Sequence, residues 1–86
     1  MPEVSRFFGI IISMYYNDHA PPHFHVRYGR QKALVEIGSL TVLRGTLAPR
    51  VLGLVVEWAA THKDDLMGNW ELARSDEPLR KIQPLE

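Results

Sequence analysis

The chain has 86 residues, 45% of them hydrophobic and 23% charged, with ten Lys/Arg balancing ten Asp/Glu and no cysteine. That length suits one domain with one core, and the composition excludes a disordered or fibrous chain. The lack of cysteine excludes a disulfide framework and a thiolate metal site, and zero net charge argues against strong non-specific binding to nucleic acid.

The charge is unevenly placed. Residues 1–50 carry six Lys/Arg against three Asp/Glu, and residues 51–86 carry four against seven. A basic half can hold a few phosphates, and an acidic half can face a basic partner. The opening Met-Pro-Glu-Val-Ser-Arg lacks the charged and apolar regions of a secretory signal. The apolar run 7–12 is far shorter than the roughly 20 residues needed to span a bilayer. No membrane association is expected, and the reducing cytoplasm is the expected compartment.

Residues 6–16, Arg-Phe-Phe-Gly-Ile-Ile-Ile-Ser-Met-Tyr-Tyr, form a β-branched and aromatic run with little alternation. This predicts a strand covered on both faces and central in a sheet, with Gly9 at a bulge or a close packing contact. Asn17-Asp18-His19-Ala20-Pro21-Pro22 predicts a stiff loop, because Asn and Asp favour turns and the two prolines restrict the backbone. Strands follow at 23–28 and 32–37, joined through Gly29-Arg30, where glycine suits the first central position of a two-residue hairpin turn. Gly38-Ser39 turns the chain into a short edge strand at 41–44.

The period then changes. From Pro49, a favourable first helical residue, Val51, Leu54, Val55 and Trp58 follow helical spacing to about Thr61. Thr61 with Asp64 three residues later resembles a capping box. It predicts a second helix from near His62 to about Arg74 that buries Leu66, Met67, Trp70 and Ala73; one long bent helix also fits. The tail 78–85 predicts a short final strand. The expected fold is α+β, a single domain over residues 1–86. A small, mostly antiparallel sheet of three to five strands packs against two C-terminal helices in the order β-β-β-β-α-α-β.

In a strand at 23–28, alternation puts Phe24, Val26 and Tyr28 on the core face and His23, His25 and Arg27 together on the other. The two imidazoles can share a metal, with His19 folding back from the loop as a third ligand. His-x3-His-x-His thus offers His19, His23 and His25 to a divalent transition metal such as zinc or nickel, in the manner of a three-histidine catalytic site. The hairpin register pairs His23 with Glu36, a candidate to orient an imidazole, and Asp18 and Tyr16 border the site. The same face supports acid–base chemistry on RNA, with His23, His25 and Arg27 as candidate catalytic groups and Arg27, Arg30 and Lys32 holding phosphate. The bland alternative is an ordinary half-exposed strand, with His25 packed beside Leu34 and His19 capping a turn.

Trp58 and Trp70 lie on apolar helix stripes and are assigned to the core. Of Tyr15 and Tyr16, one points inward and the other borders the histidines. Asn69 is expected to brace a loop, Asp64 and Asp65 to serve the start of a helix, and His62 to sit at the helix junction.

The segment Asn17-Asp18-His19-Ala20-Pro21-Pro22-His23-Phe24-His25-Val26-Arg27-Tyr28 closely resembles a bacterial family described as domain of unknown function 4160. The opening Pro2-Glu3-Val4-Ser5-Arg6-Phe7-Phe8-Gly9-Ile10, the stretch Asn69-Trp70-Glu71-Leu72-Ala73 and the tail Lys81-Ile82-Gln83-Pro84-Leu85 resemble its other signatures, and Ala20 occupies a variable position. That family has no established activity, so the resemblance transfers no catalytic residue. Its members are small bacterial proteins often encoded beside another short protein, in pairs that look like toxin–antitoxin modules. The resemblance therefore implies a cognate small protein partner, and exposed strand edges make a homodimer a further expectation.

Overall fold

The computed structural model describes residues 2–86. Phe8 and Gly9 both adopt positive φ, 51° and 80°, the conformation of the two-residue turns that match strand twist. They split the first apolar run into β1 (Glu3–Phe7) and β2 (Ile10–Ser13). The expected single central strand over 6–16 is thus a hairpin with β1 at the sheet edge. Gly9 is its turn rather than a bulge. Gly29, also at positive φ, joins β3 (His23–Tyr28) to β4 (Gln31–Glu36), and β5 (Val42–Thr46) completes an antiparallel meander in the order β1-β2-β3-β4-β5.

Helix α1 (Pro49–Ala60) begins with its proline at the first turn, and α2 (Lys63–Arg74) follows after a short break. The class is α+β as expected, with the order β-β-β-β-β-α-α. The predicted capping box does not form: the Thr61 hydroxyl donates back to the Trp58 carbonyl, and His62 occupies the N-cap without a side-chain hydrogen bond. Met67 is exposed rather than buried, because the inward stripe of α2 is Leu66, Asn69, Trp70 and Ala73.

Trp58 organises the core. It is fully buried, with its ring 5.3 Å from Phe7 and 5.9 Å from Phe24, so one indole ties α1 to two strands. Val55, Ile12, Val26 and Val35 fill the space around it. The expected final strand is replaced by a tail without a ladder, since Pro78 and Pro84 have no N–H to give. The Ile82 amide donates to the Val4 carbonyl at 2.8 Å, and the Trp58 indole N–H donates to the Gln83 carbonyl at 2.8 Å. Asn69, itself buried, donates to and accepts from the Arg80 backbone, which is the bracing role expected of it.

Gly45 in β5 is fixed by sterics. Its φ is +86°, and a Cβ there would press on the Lys32 carbonyl oxygen and lie 2.9 Å from the Ala33 Cα. Gly45→Ala is expected to destabilise the fold by more than about 2 kcal/mol, since the left-handed conformation alone costs an alanine about 1–2 kcal/mol and the contact is with backbone. Chemical denaturation checks this, and an unchanged midpoint would show that β5 can shift away.

Candidate functional site

The register of β3 puts Phe24 and Val26 on the helix-covered face, opposite Val35 and Ala33, where all four are buried. The opposite face carries His23, His25 and Arg27, as alternation requires. The three are not equally displayed. His23 is only 4% exposed because its ring lies 5.3 Å from Trp70 of α2, whereas His25 is half-buried and Arg27 is exposed.

The loop between β2 and β3 turns through Asn17, at φ 55°, and brings Asp18 back over the start of β3. One oxygen, Asp18 Oδ2, lies 3.0 Å from His23 Nε2 and 2.8 Å from His25 Nε2. The three groups offer ligand atoms all within 4.8 Å of one another. Nδ1–H of His23 donates to the Pro21 carbonyl at 2.7 Å, and the Pro22 carbonyl accepts from the Ile37 amide, so the loop is tied to β3 and to the residue that follows β4.

This pattern constrains His23. A neutral imidazole has one N–H, and here it is committed at Nδ1. The Nε2 lone pair then faces a carboxylate oxygen, which is also an acceptor. A proton or a cation must sit between them.

His19 stands outside the cluster. With Asp18 turned inward, the side chain of its neighbour is left exposed, and only the His19 amide takes part, donating to Asp18 Oδ1 at 2.8 Å. The third metal-competent group is therefore Asp18, expected only at the border of the site. Glu36 does pair with His23 in the ladder, but its carboxylate accepts from Ser39 rather than from the imidazole. Tyr15, not Tyr16, touches the site: its ring stands edge-on to His25 with centroids 4.2 Å apart. Met14 is buried in the core, so Tyr15 falls on the histidine face, and Tyr16 is left exposed at the turn. Arg30 lies at the β3–β4 turn beside Gln31 and Ala48, away from the histidines, and His62 bonds Asp65 at the helix junction.

Burial by itself would raise the Asp18 carboxyl. The hydrogen bond from His25, the His19 amide and the neighbouring imidazole charges outweigh it and hold the group below its ordinary value. The unfolded chain therefore binds the Asp18 proton more readily than the folded one. Asp18 contributes stability above about pH 3.9, the ordinary aspartate value, and the contribution is lost as pH falls through the lower folded value. Thermal midpoints of metal-free protein are expected to drop more steeply in this acid range than those of Asp18→Asn. Parallel curves would show that the carboxylate contributes nothing there.

A family model described as Domain of unknown function (DUF4160) matches residues 9–71, more than half of the chain and all of the cluster. No curated protein and no solved structure matches the chain. No helix among the described residues is long and apolar enough to cross a membrane.

Proposed function

The chain belongs to the DUF4160 family, and we propose that it binds a divalent transition metal, zinc or nickel, through Asp18 Oδ2, His23 Nε2 and His25 Nε2. The observation that carries this reading is the His23 ring, whose Nε2 lone pair is aimed at a carboxylate while Nδ1–H is held on a backbone carbonyl. That is how metal-ligating histidines are oriented, with the distal N–H fixed on a carbonyl so that the other nitrogen is free to ligate. Ligand atoms about 2.1 Å from a tetrahedral ion lie about 3.4 Å from each other; here Asp18 Oδ2 is 3.0 and 2.8 Å from the two Nε2 atoms and all three lie within 4.8 Å of one another, so a small outward shift of the carboxylate admits an ion. Two histidines and one carboxylate form a common donor set for such ions. Three protein ligands leave room for water or substrate, so the centre suits Lewis-acid chemistry or water activation.

Elemental analysis of tag-free protein tests the reading. About one ion per chain is expected, lost in His23→Ala and in His25→Ala. Failure to hold or take up zinc or nickel would reduce the cluster to a structural clamp. The alternative use of the histidines, metal-independent acid–base cleavage of RNA, has less support: both ring nitrogens of His23 are engaged, which leaves the cluster one imidazole, His25, with a nitrogen to offer a substrate.

A second reading concerns partners. A cognate small protein, encoded beside this one in a toxin–antitoxin-like unit, would dock on the outer edge of β5, where Leu43 is 44% exposed beside the unpaired side of the ladder. Free edges accept an added strand, from a partner or a second copy. A pull-down from the native host tests it, and recovery of no stoichiometric partner would count against it.

A further inference from the structure

The sheet face away from the helices carries a groove of about 330 Å³ that begins beside His25 and Tyr15. Its floor is apolar, with Ile11 and Leu34, and its rim carries Arg27, Lys32 and Arg44. No acidic side chain lines it. Among the described residues, none of these three cations takes part in an ion pair, although Arg6 and Arg74 elsewhere do.

The ladder explains how they meet. Arg27 lies directly opposite Lys32, and Arg44 lies opposite Leu34, so β3, β4 and β5 each contribute one cation on the same face. Like charges facing each other across strands are destabilising. An uncompensated row of this kind is relieved by an anion. With strands about 4.8 Å apart the row crosses about 10 Å of the sheet.

We propose that this groove binds single-stranded nucleic acid. The row of cations follows one phosphate backbone, and the apolar floor with the Tyr15 and His25 rings at its end receives unstacked bases. A charged track beside aromatic and apolar surface is the arrangement by which single strands are held without strong sequence preference. A run of acidic residues such as polyglutamate matches the charges but has no flat rings for the floor. A duplex presents two backbones to a single row and keeps its bases stacked. The inference stands apart from metal binding, since it uses Arg27, Lys32 and Arg44 and only the outer side of His25.

The test is fluorescence anisotropy of a labelled short oligoribonucleotide of mixed sequence, with the full chain in EDTA so that failure of the metal reading leaves the result intact. Saturable binding at low salt is expected, weakening with salt at a log–log slope of about −2, as for three phosphates at about 0.7 each. Lys32→Glu and Arg44→Glu should each weaken binding about tenfold or more, the effect of losing one charge-assisted hydrogen bond. Arg50→Glu on α1, with the same charge change outside the groove, should have little effect. Lys32→Gln and Arg44→Gln keep the comparison readable if either reversal disturbs the fold by circular dichroism. The proposal is overturned by absence of saturable binding, by equal weakening in Arg50→Glu, or by equal or tighter binding of a duplex or of polyglutamate.

Discussion

Asp18→Ala is expected to abolish stoichiometric metal uptake, while His19→Ala leaves it intact. The contrast is sharp because the two residues are neighbours and both types are common ligands. Removing one of three ligands should weaken affinity by at least about 100-fold, more than the 10- to 100-fold typical for losing a residue that only supports a ligand. Asp18→Ala also leaves the buried His23 Nε2 without a partner, which should lower the stability of the metal-free protein by about 1–3 kcal/mol. Asp18→Asn separates the two effects: its amide can still hydrogen-bond an imidazole but is a poor metal ligand, so folding should recover before metal uptake does. Titration with zinc or nickel by calorimetry, beside thermal denaturation of each variant, reads both quantities. If His19→Ala removes the metal instead, the ligand set assigned above is wrong.

The largest stability effect is expected for Trp58→Ala. The indole is fully buried, touches Phe7 and Phe24, and donates to the Gln83 carbonyl, so its removal opens a cavity and frees the tail together. Truncation of a buried aromatic costs about 3–5 kcal/mol. A chain of this size has a total stability of only about 4–13 kcal/mol. Much of the Trp58→Ala population should therefore be unfolded at 37 °C. Trp58→Phe, which keeps ring volume and loses the N–H, should fall between the two. Urea denaturation followed by far-UV circular dichroism decides it, and a loss below about 1 kcal/mol for the alanine variant would contradict the central place given to this residue.

The parts of the fold legible in the sequence are those where local chemistry leaves one choice. Gly29 at a two-residue turn sets the β3–β4 register, and with it the pairing of His23 with Glu36 and of His25 with Leu34. The hairpin inside the first apolar run was hidden because Phe8, a strand-favouring residue, takes the left-handed conformation at the turn and only Gly9 gives a signal. The tail has a strand's composition but is held by the side chains of Asn69 and Trp58 and by a single backbone bond to Val4, none of which a local pattern reveals. At the site, period-two alternation was enough to group His23, His25 and Arg27. Which carboxylate reaches them was not legible, because it depends on how a six-residue loop folds back. Asp18 and Glu36 were both candidates; in the structure Asp18 turns toward the imidazoles while Ser39 takes Glu36. The burial of His23 was also out of reach, since it depends on Trp70 arriving from a helix forty-seven positions later.

The fastening of the tail bears on how the folded domain opens. The Ile82 amide donates to the Val4 carbonyl and the Trp58 indole to the Gln83 carbonyl, so two neighbouring tail residues latch onto the edge strand and onto the central indole. Peeling the tail away strips the buried indole N–H of its acceptor, so local opening there is coupled to loosening of the core. The Ile82 amide and the Trp58 indole proton should therefore exchange with solvent together.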